Sequence, residues 1–156
     1  MSGSRRLARQ YAFVVLCSLD KQSMELSFAM EQFWDSSSIE ERLAPDEQSM
    51  VPRAIFDGEK TFAQRIVLGV VEHIEEIDGM ITSAAHNWTL ERMAMVDRTI
   101  LRLATYELLF EKDIAGNVSL NEAVELAKKF GEQNSRQFVN GVLDRIAGQT
   151  NKLARR

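Results

Sequence analysis

The sequence predicts an all-α protein. Apolar residues recur at three- and four-residue intervals along most of the chain, the spacing of helices with a buried stripe. No convincing alternation of apolar and polar residues marks a strand, and no hairpin signal joins two such runs. At 156 residues the chain is most simply a single domain, 1–156, long enough to bury about two-thirds of the surface its unfolded form exposes.

The elements follow from the pattern in order. Residues 5–19 place Leu7, Ala8, Ala12, Val15, Leu16 and Leu19 on one stripe, and the first two turns of this helix are basic. Residues 24–34 read as a second helix, opened by Ser23 as an N-cap. The stretch 35–58 holds both prolines, a serine triplet and mixed charge. It is a variable connection, and its length predicts some helix within it.

Phe62, Ile66, Val70, His73, Ile74, Ile77, Met80 and Ile81 then predict one long central helix over 59–84. Gly69 lies inside it, where glycine costs about 1 kcal/mol against alanine, so a neighbouring helix packed close to the backbone is expected. Asn87-Trp88-Thr89 interrupts the pattern. Met93, Val96, Ile100, Leu103, Ala104, Leu108 and Phe110 form so broad an arc over 90–112 that this helix is expected at the centre of the fold. After a turn at 113–118, Ser119 and Glu122 fit a capping box, with Leu120, Ala123, Val124, Ala127 and Phe130 as the buried face. Gly131 is placed to end that helix in a left-handed conformation. The last helix, 135–147, carries Phe138, Val139, Val142, Leu143 and Ile146.

The net charge of -4 argues against a protein that coats nucleic acid over its whole surface, but the charges are unevenly placed. Arg5, Arg6 and Arg9 precede the first acid, Asp20, and Lys152, Arg155 and Arg156 close the chain. No apolar run approaches the roughly 18 to 20 residues that span a bilayer, so no membrane is expected. The N-terminus lacks the apolar core and cleavage site of a signal peptide, and the single cysteine, Cys17, cannot form an internal disulfide. Both point to the cytoplasm.

Nothing in the pattern supports catalysis. His73 and His86 share no metal-ligand spacing, and His73 sits in an apolar stripe. HExxH, CxxC, GxSxG and a phosphate-binding glycine loop are all missing from the sequence, so no metal, no cofactor and no enzyme chemistry is expected. No base or orienting group lies near Cys17 in sequence, and it reads as a small helix residue.

Three sets of residues keep two readings open. Asp97 and Glu107 project into the apolar arc of their helix, and an ionised carboxylate buried there needs a partner. Each is an internal cap or ion pair, or lies at the rim of a surface that receives another protein. Arg5, Arg6 and Arg9 are a solvated helix start or a phosphate contact. Arginine at a helix N-terminus opposes the helix dipole, whereas a phosphate is attracted by both. Phe130 and Phe138 are core residues or platforms for unstacked bases.

The segments SRRLARQYAFVVL, FAQRIVLGVVEHIEEID, MVDRTILRLATYELLF and SLNEAVELAKKFGEQNSRQFVNGVLDRIA resemble the NusB family of bacterial transcription antitermination factors over most of the chain. The resemblance implies about seven helices arranged as two packed three-helix bundles. It implies binding of the boxA element of ribosomal RNA leaders together with NusE, a small-subunit ribosomal protein, in an antitermination complex on RNA polymerase. By position it assigns RNA contact to Arg5, Arg6 and Arg9, makes Phe130, Asn134, Arg136 and Phe138 further RNA candidates, and places Asp97 where the ribosomal protein docks.

Two departures qualify the transfer. Cys17 stands where the family often has tyrosine, and Ala115-Gly116-Asn117 replaces Pro-Tyr-Lys, which is expected to loosen that turn and removes a base. A protein-interaction module of the same fold without specific RNA binding is therefore the alternative. The helical domain attached to ribosomal RNA cytosine methyltransferases is a weaker one, because the chain ends at Arg156 with no room for a methyltransferase domain. Some family members self-associate, so a monomer and a homodimer both remain open.

Overall fold

The computed structural model describes residues 2–22 and 57–150, all of it helix, turn or loop. The expected helix at 24–34 with its Ser23 cap, nearly all of the 35–58 connection, and the basic cluster of Lys152, Arg155 and Arg156 lie outside the described residues. Among the described residues are six α-helices: α1 (Ser2–Gln22), α2 (Asp57–Glu72), α3 (Ile74–Ala84), α4 (Met95–Phe110), α5 (Gly116–Phe130) and α6 (Ser135–Gln149). A short 3-10 turn, Leu90–Arg92, precedes α4. The chain divides into two compact units, 1–68 and 69–156.

In the first unit α1 buries Ala8, Tyr11, Ala12, Phe13, Val14, Val15 and Leu16. That is wider than the predicted stripe, because positions 11–16 are apolar without interruption and the helix is enclosed on most sides there. The part of α2 in this unit buries Phe62, Ala63, Ile66 and Val67.

In the second unit α4 packs against α3, α5 and α6, and α6 also meets α3 and α5. The broad arc read from the sequence thus makes α4 the centre of this unit, with Ile100, Leu101, Leu103, Ala104 and Leu108 buried. Polar ties fix its neighbours. Arg102 forms a two-pronged ion pair with Asp78 of α3, Nε to Oδ1 at 2.8 Å and Nη2 to Oδ2 at 3.0 Å. Arg145 of α6 donates from Nε to the Ala84 carbonyl at 2.7 Å, covering a carbonyl at the end of α3.

Six local expectations are corrected. The helix predicted over 59–84 is two helices that meet at His73, where the backbone adopts φ -111 and ψ 26. The imidazole there stacks on Phe110, centroid to centroid 4.1 Å. Residues 90–112 are likewise not one helix, since Met93 and Ala94 are extended between the 3-10 turn and α4.

The capping box at Ser119 does not form, because α5 begins three residues earlier at Gly116. The turn expected to loosen is a regular helix start, in which the Ala115 carbonyl accepts from the N–H groups of Val118 and Ser119. Gly131 is extended, with φ -93 and ψ -174, so left-handed backbone is not the reason for glycine. Space is: a β-carbon there would lie 2.6 Å from Cβ and Oγ of Ser135 and 2.8 Å from the Ala127 carbonyl oxygen. Val124 and Phe130 are only half-buried, and Leu126 fills the core of α5 in their place.

Gly69 meets the expectation of close packing. A β-carbon on it would overlap the ring of Tyr106. That ring is buried, and its hydroxyl donates to Oε2 of Glu111 at 2.8 Å.

Candidate functional site

Two assemblies of polar and aromatic side chains stand out, one in each unit. The first is built on Phe62. Its ring is 4% exposed, and three guanidinium groups gather on it: Arg5 at 4.3 Å from the ring centre, Arg65 at 5.3 Å and Arg9 at 5.4 Å. The faces of aromatic rings are negative, so each cation is attracted to the ring, and the sharing aligns side chains from two helices. Arg5 and Arg6 are exposed. Arg9 is 3% exposed and lies inside the assembly. Of the three predicted phosphate contacts, the exposed pair can present a guanidinium to a polyanion in this conformation, while Arg9 is buried and shares the Phe62 ring with Arg5.

The second is a cleft of about 570 Å³ in the C-terminal unit. Its walls come from three places in the sequence. Trp88, Arg92 and Ala94 come from the segment before α4, Asp97 from the first turn of α4, and Glu132, Asn134 and Phe138 from the entry to α6. Local chemistry explains how they are held. Arg98 donates from Nη1 to the carbonyls of Leu90 and Met93, at 2.9 and 3.0 Å, fastening the 3-10 turn to the first turn of α4. Just after α3 ends, His86 takes φ 47, the single positive value on a non-glycine residue among those described, in a turn where the Trp88 N–H donates to the Ala85 carbonyl at 3.1 Å. On the other wall the Glu132 N–H donates to Oγ of Ser135 at 2.9 Å, closing the loop that Gly131 makes room for.

Trp88 is 48% exposed, and its ring meets that of half-buried Phe138 edge-on at 6.0 Å. Asp97, in the first turn of α4, has one buried carboxylate oxygen, Oδ1, with no hydrogen-bond partner. An orphaned acceptor of this kind is costly unless a ligand completes it. Glu107, the other acid of the apolar arc, is 1% exposed, and its Oε1 accepts from the Ser119 hydroxyl at 2.8 Å.

The structure therefore brings Asp97, Asn134 and Phe138 to one cleft and leaves Phe130 and Arg136 off its lining. Arg136 is exposed, while Phe130 is half-buried with the Lys129 ammonium 6.0 Å from its ring. Residue-by-residue reading missed Arg65, Phe62 as their platform, Trp88 and Arg92. The exposed tryptophan in a break between helices was the one available signal. Among the described residues no group of three or more His, Cys, Asp or Glu side chains is placed to hold a metal, and no helix is long and apolar enough to cross a membrane.

Comparison with known proteins places this geometry in a family. The model of the NusB family matches residues 6–148. The transcription antitermination protein NusB of Geobacter sulfurreducens is 45% identical over 145 residues, which are 93% of this chain and 94% of that protein. That of Myxococcus xanthus is 39% identical over 150 residues, 96% of this chain and 99% of its own length. Among solved structures, T. maritima NusB superposes with a TM-score of 0.76 at 38% identity, covering 93% of this chain and 91% of its own. The crystal structure of antitermination factors NusB and NusE in complex with dsRNA gives the same TM-score at 28% identity, covering 96% of this chain and 99% of the matched one. A match over nearly the whole chain, in sequence and in fold, makes this protein a member of the NusB family.

Proposed function

We propose that this protein is a non-catalytic transcription antitermination factor. It binds the boxA-type element of ribosomal RNA leader transcripts as a single strand, acts with the ribosomal protein NusE, and joins an antitermination complex on RNA polymerase in the cytoplasm. The observation that carries the RNA half is the exposed pair Arg5 and Arg6 at the start of α1, with Arg5 ordered on the Phe62 ring. Near-full-length relatives that are transcription antitermination proteins supply the biological setting, and a similar fold has been solved with NusE and dsRNA.

Asp97 carries the protein half. Its orphaned oxygen sits in a cleft that also holds Glu132, so a basic side chain or a backbone donor of the partner completes it. Within the second unit, Asn134, Arg136, Phe130 and Phe138 supply further RNA contacts at the end of α5 and the start of α6, the half-buried rings offering edges or faces to unstacked bases. The test is titration of a boxA-like single strand into the protein, alone and with NusE. Tighter binding in the presence of NusE is expected. A chain that binds NusE and shows no preference for boxA over a scrambled strand would instead be a protein-interaction module of the same fold.

A further inference from the structure

We propose that Arg65 is a phosphate-binding residue of the RNA surface, held in position with Arg5 by the ring of Phe62. The proposal rests on the RNA reading of Arg5 and Arg6 given above. Arg65 comes from α2, far from the N-terminal basic run, and flanking apolar residues hide it from any search for charge clusters.

The geometry that brings it in is local. Arg65 follows Phe62 by three residues, so the two share a face of α2, and its guanidinium lies 5.3 Å from the ring centre. Arg5 reaches the same ring from α1, at 4.3 Å. Both arginines are exposed, whereas the ring between them is almost fully covered. A ring so covered has no face left for a nucleobase. Its part is to orient the guanidinium groups, which are attracted to the aromatic face, while Arg5 and Arg65 stay exposed to solvent.

Planar forks match phosphate oxygens two at a time, and a lysine ammonium does not. Gathering three guanidinium groups on one ring, with Arg9 the buried third, also concentrates positive potential where the exposed pair opens to solvent. A sugar-phosphate backbone is the ligand that suits two such forks on adjacent helices. A contact that served only to join α1 to α2 would not call for Arg65 to be exposed.

The test is binding of a fluorescent single-stranded boxA-type RNA by the full chain, measured across a series of salt concentrations. Arg65→Ala is expected to weaken binding about three- to tenfold near 0.1 M salt and to reduce the salt slope by about 0.7, the value of one single-strand phosphate contact. Arg65→Lys should keep the slope and recover only part of the affinity. Helical content and melting temperature should stay at wild-type values in both, and Arg65→Gln repeats the measurement if the alanine variant is poorly folded. Unchanged affinity and slope for Arg65→Ala, beside a clear loss for Arg5→Ala with Arg6→Ala, would overturn the assignment and leave the RNA reading intact. A lowered melting temperature with intact RNA affinity would make Arg65 a purely structural residue. If neither set of variants changes RNA binding, the assignment and the RNA reading fall together.

Discussion

The two ends of α4 hold the same kind of residue in opposite states. Near its C-terminus Glu107 is fully buried and accepts a hydrogen bond from Ser119 of α5, so the acid ties two helices of the core together. In its first turn Asp97 has a buried oxygen without a partner and faces a cleft lined by aromatic and polar side chains from two other segments. Both acids fall in the apolar arc of one helix, and periodicity alone does not separate them. What separates them is whether the fold supplies the hydrogen bond. A buried carboxylate satisfied within the chain is structural, and one left incomplete in an open cleft is where the proposed partner contact would form.

Substitutions at the satisfied end should break the fold and spare the binding. The largest effect is expected for Glu107→Ala, which empties a core position and strands the Ser119 hydroxyl. About 2–4 kcal/mol of stability should be lost in chemical denaturation, with NusE affinity of the folded fraction unchanged. Gly69→Ala is next, because its β-carbon overlaps a Tyr106 ring anchored to Glu111. Overpacking of this kind costs about 1–3 kcal/mol, visible as a lower melting temperature.

At the open end the order reverses. Phe138→Ala should cost about 1–3 kcal/mol of RNA binding and less in stability than a core phenylalanine, whose loss costs about 3–5 kcal/mol. The buried residues of α6 are Ser135, Val139, Val142, Leu143, Ile146 and Ala147, without Phe138. A core-sized loss of stability with RNA affinity intact would return Phe138 to the core. The smallest effect on the fold is expected for Asp97→Ala, which removes an unsatisfied acceptor and should change stability by less than about 1 kcal/mol while weakening NusE binding. A collapse of melting temperature in that variant would erase the contrast with Glu107.

The legible and illegible parts of the sequence divide along the same line. Helix type and the central place of α4 in its unit follow from apolar periodicity, which responds to burial and so reports directly on the core. The bend at His73 and the break at Met93 and Ala94 escape it, because apolar spacing runs on across both while stacking on Phe110 and the Arg98 hydrogen bonds fix the local backbone. Gly131 was recognised as a helix end for the wrong reason, since proximity to Ser135, invisible in one dimension, decides it. Arg5 and Arg6 were visible as a run of bases ahead of any acid. Arg9 in the same run is buried, and Arg65, outside it, is exposed on the same ring, because the three-dimensional environment of a charge is set by the partner helix and not by its sequence neighbours.

The most direct test of the RNA-binding claim is the salt dependence of affinity for a boxA-like single strand, compared between the wild-type chain and the variant carrying Arg5→Ala and Arg6→Ala. Two lost phosphate contacts should flatten the slope of log K against log salt by about 1.4 and weaken binding, at an unchanged melting temperature. Identical slopes and affinities for the two proteins would contradict it.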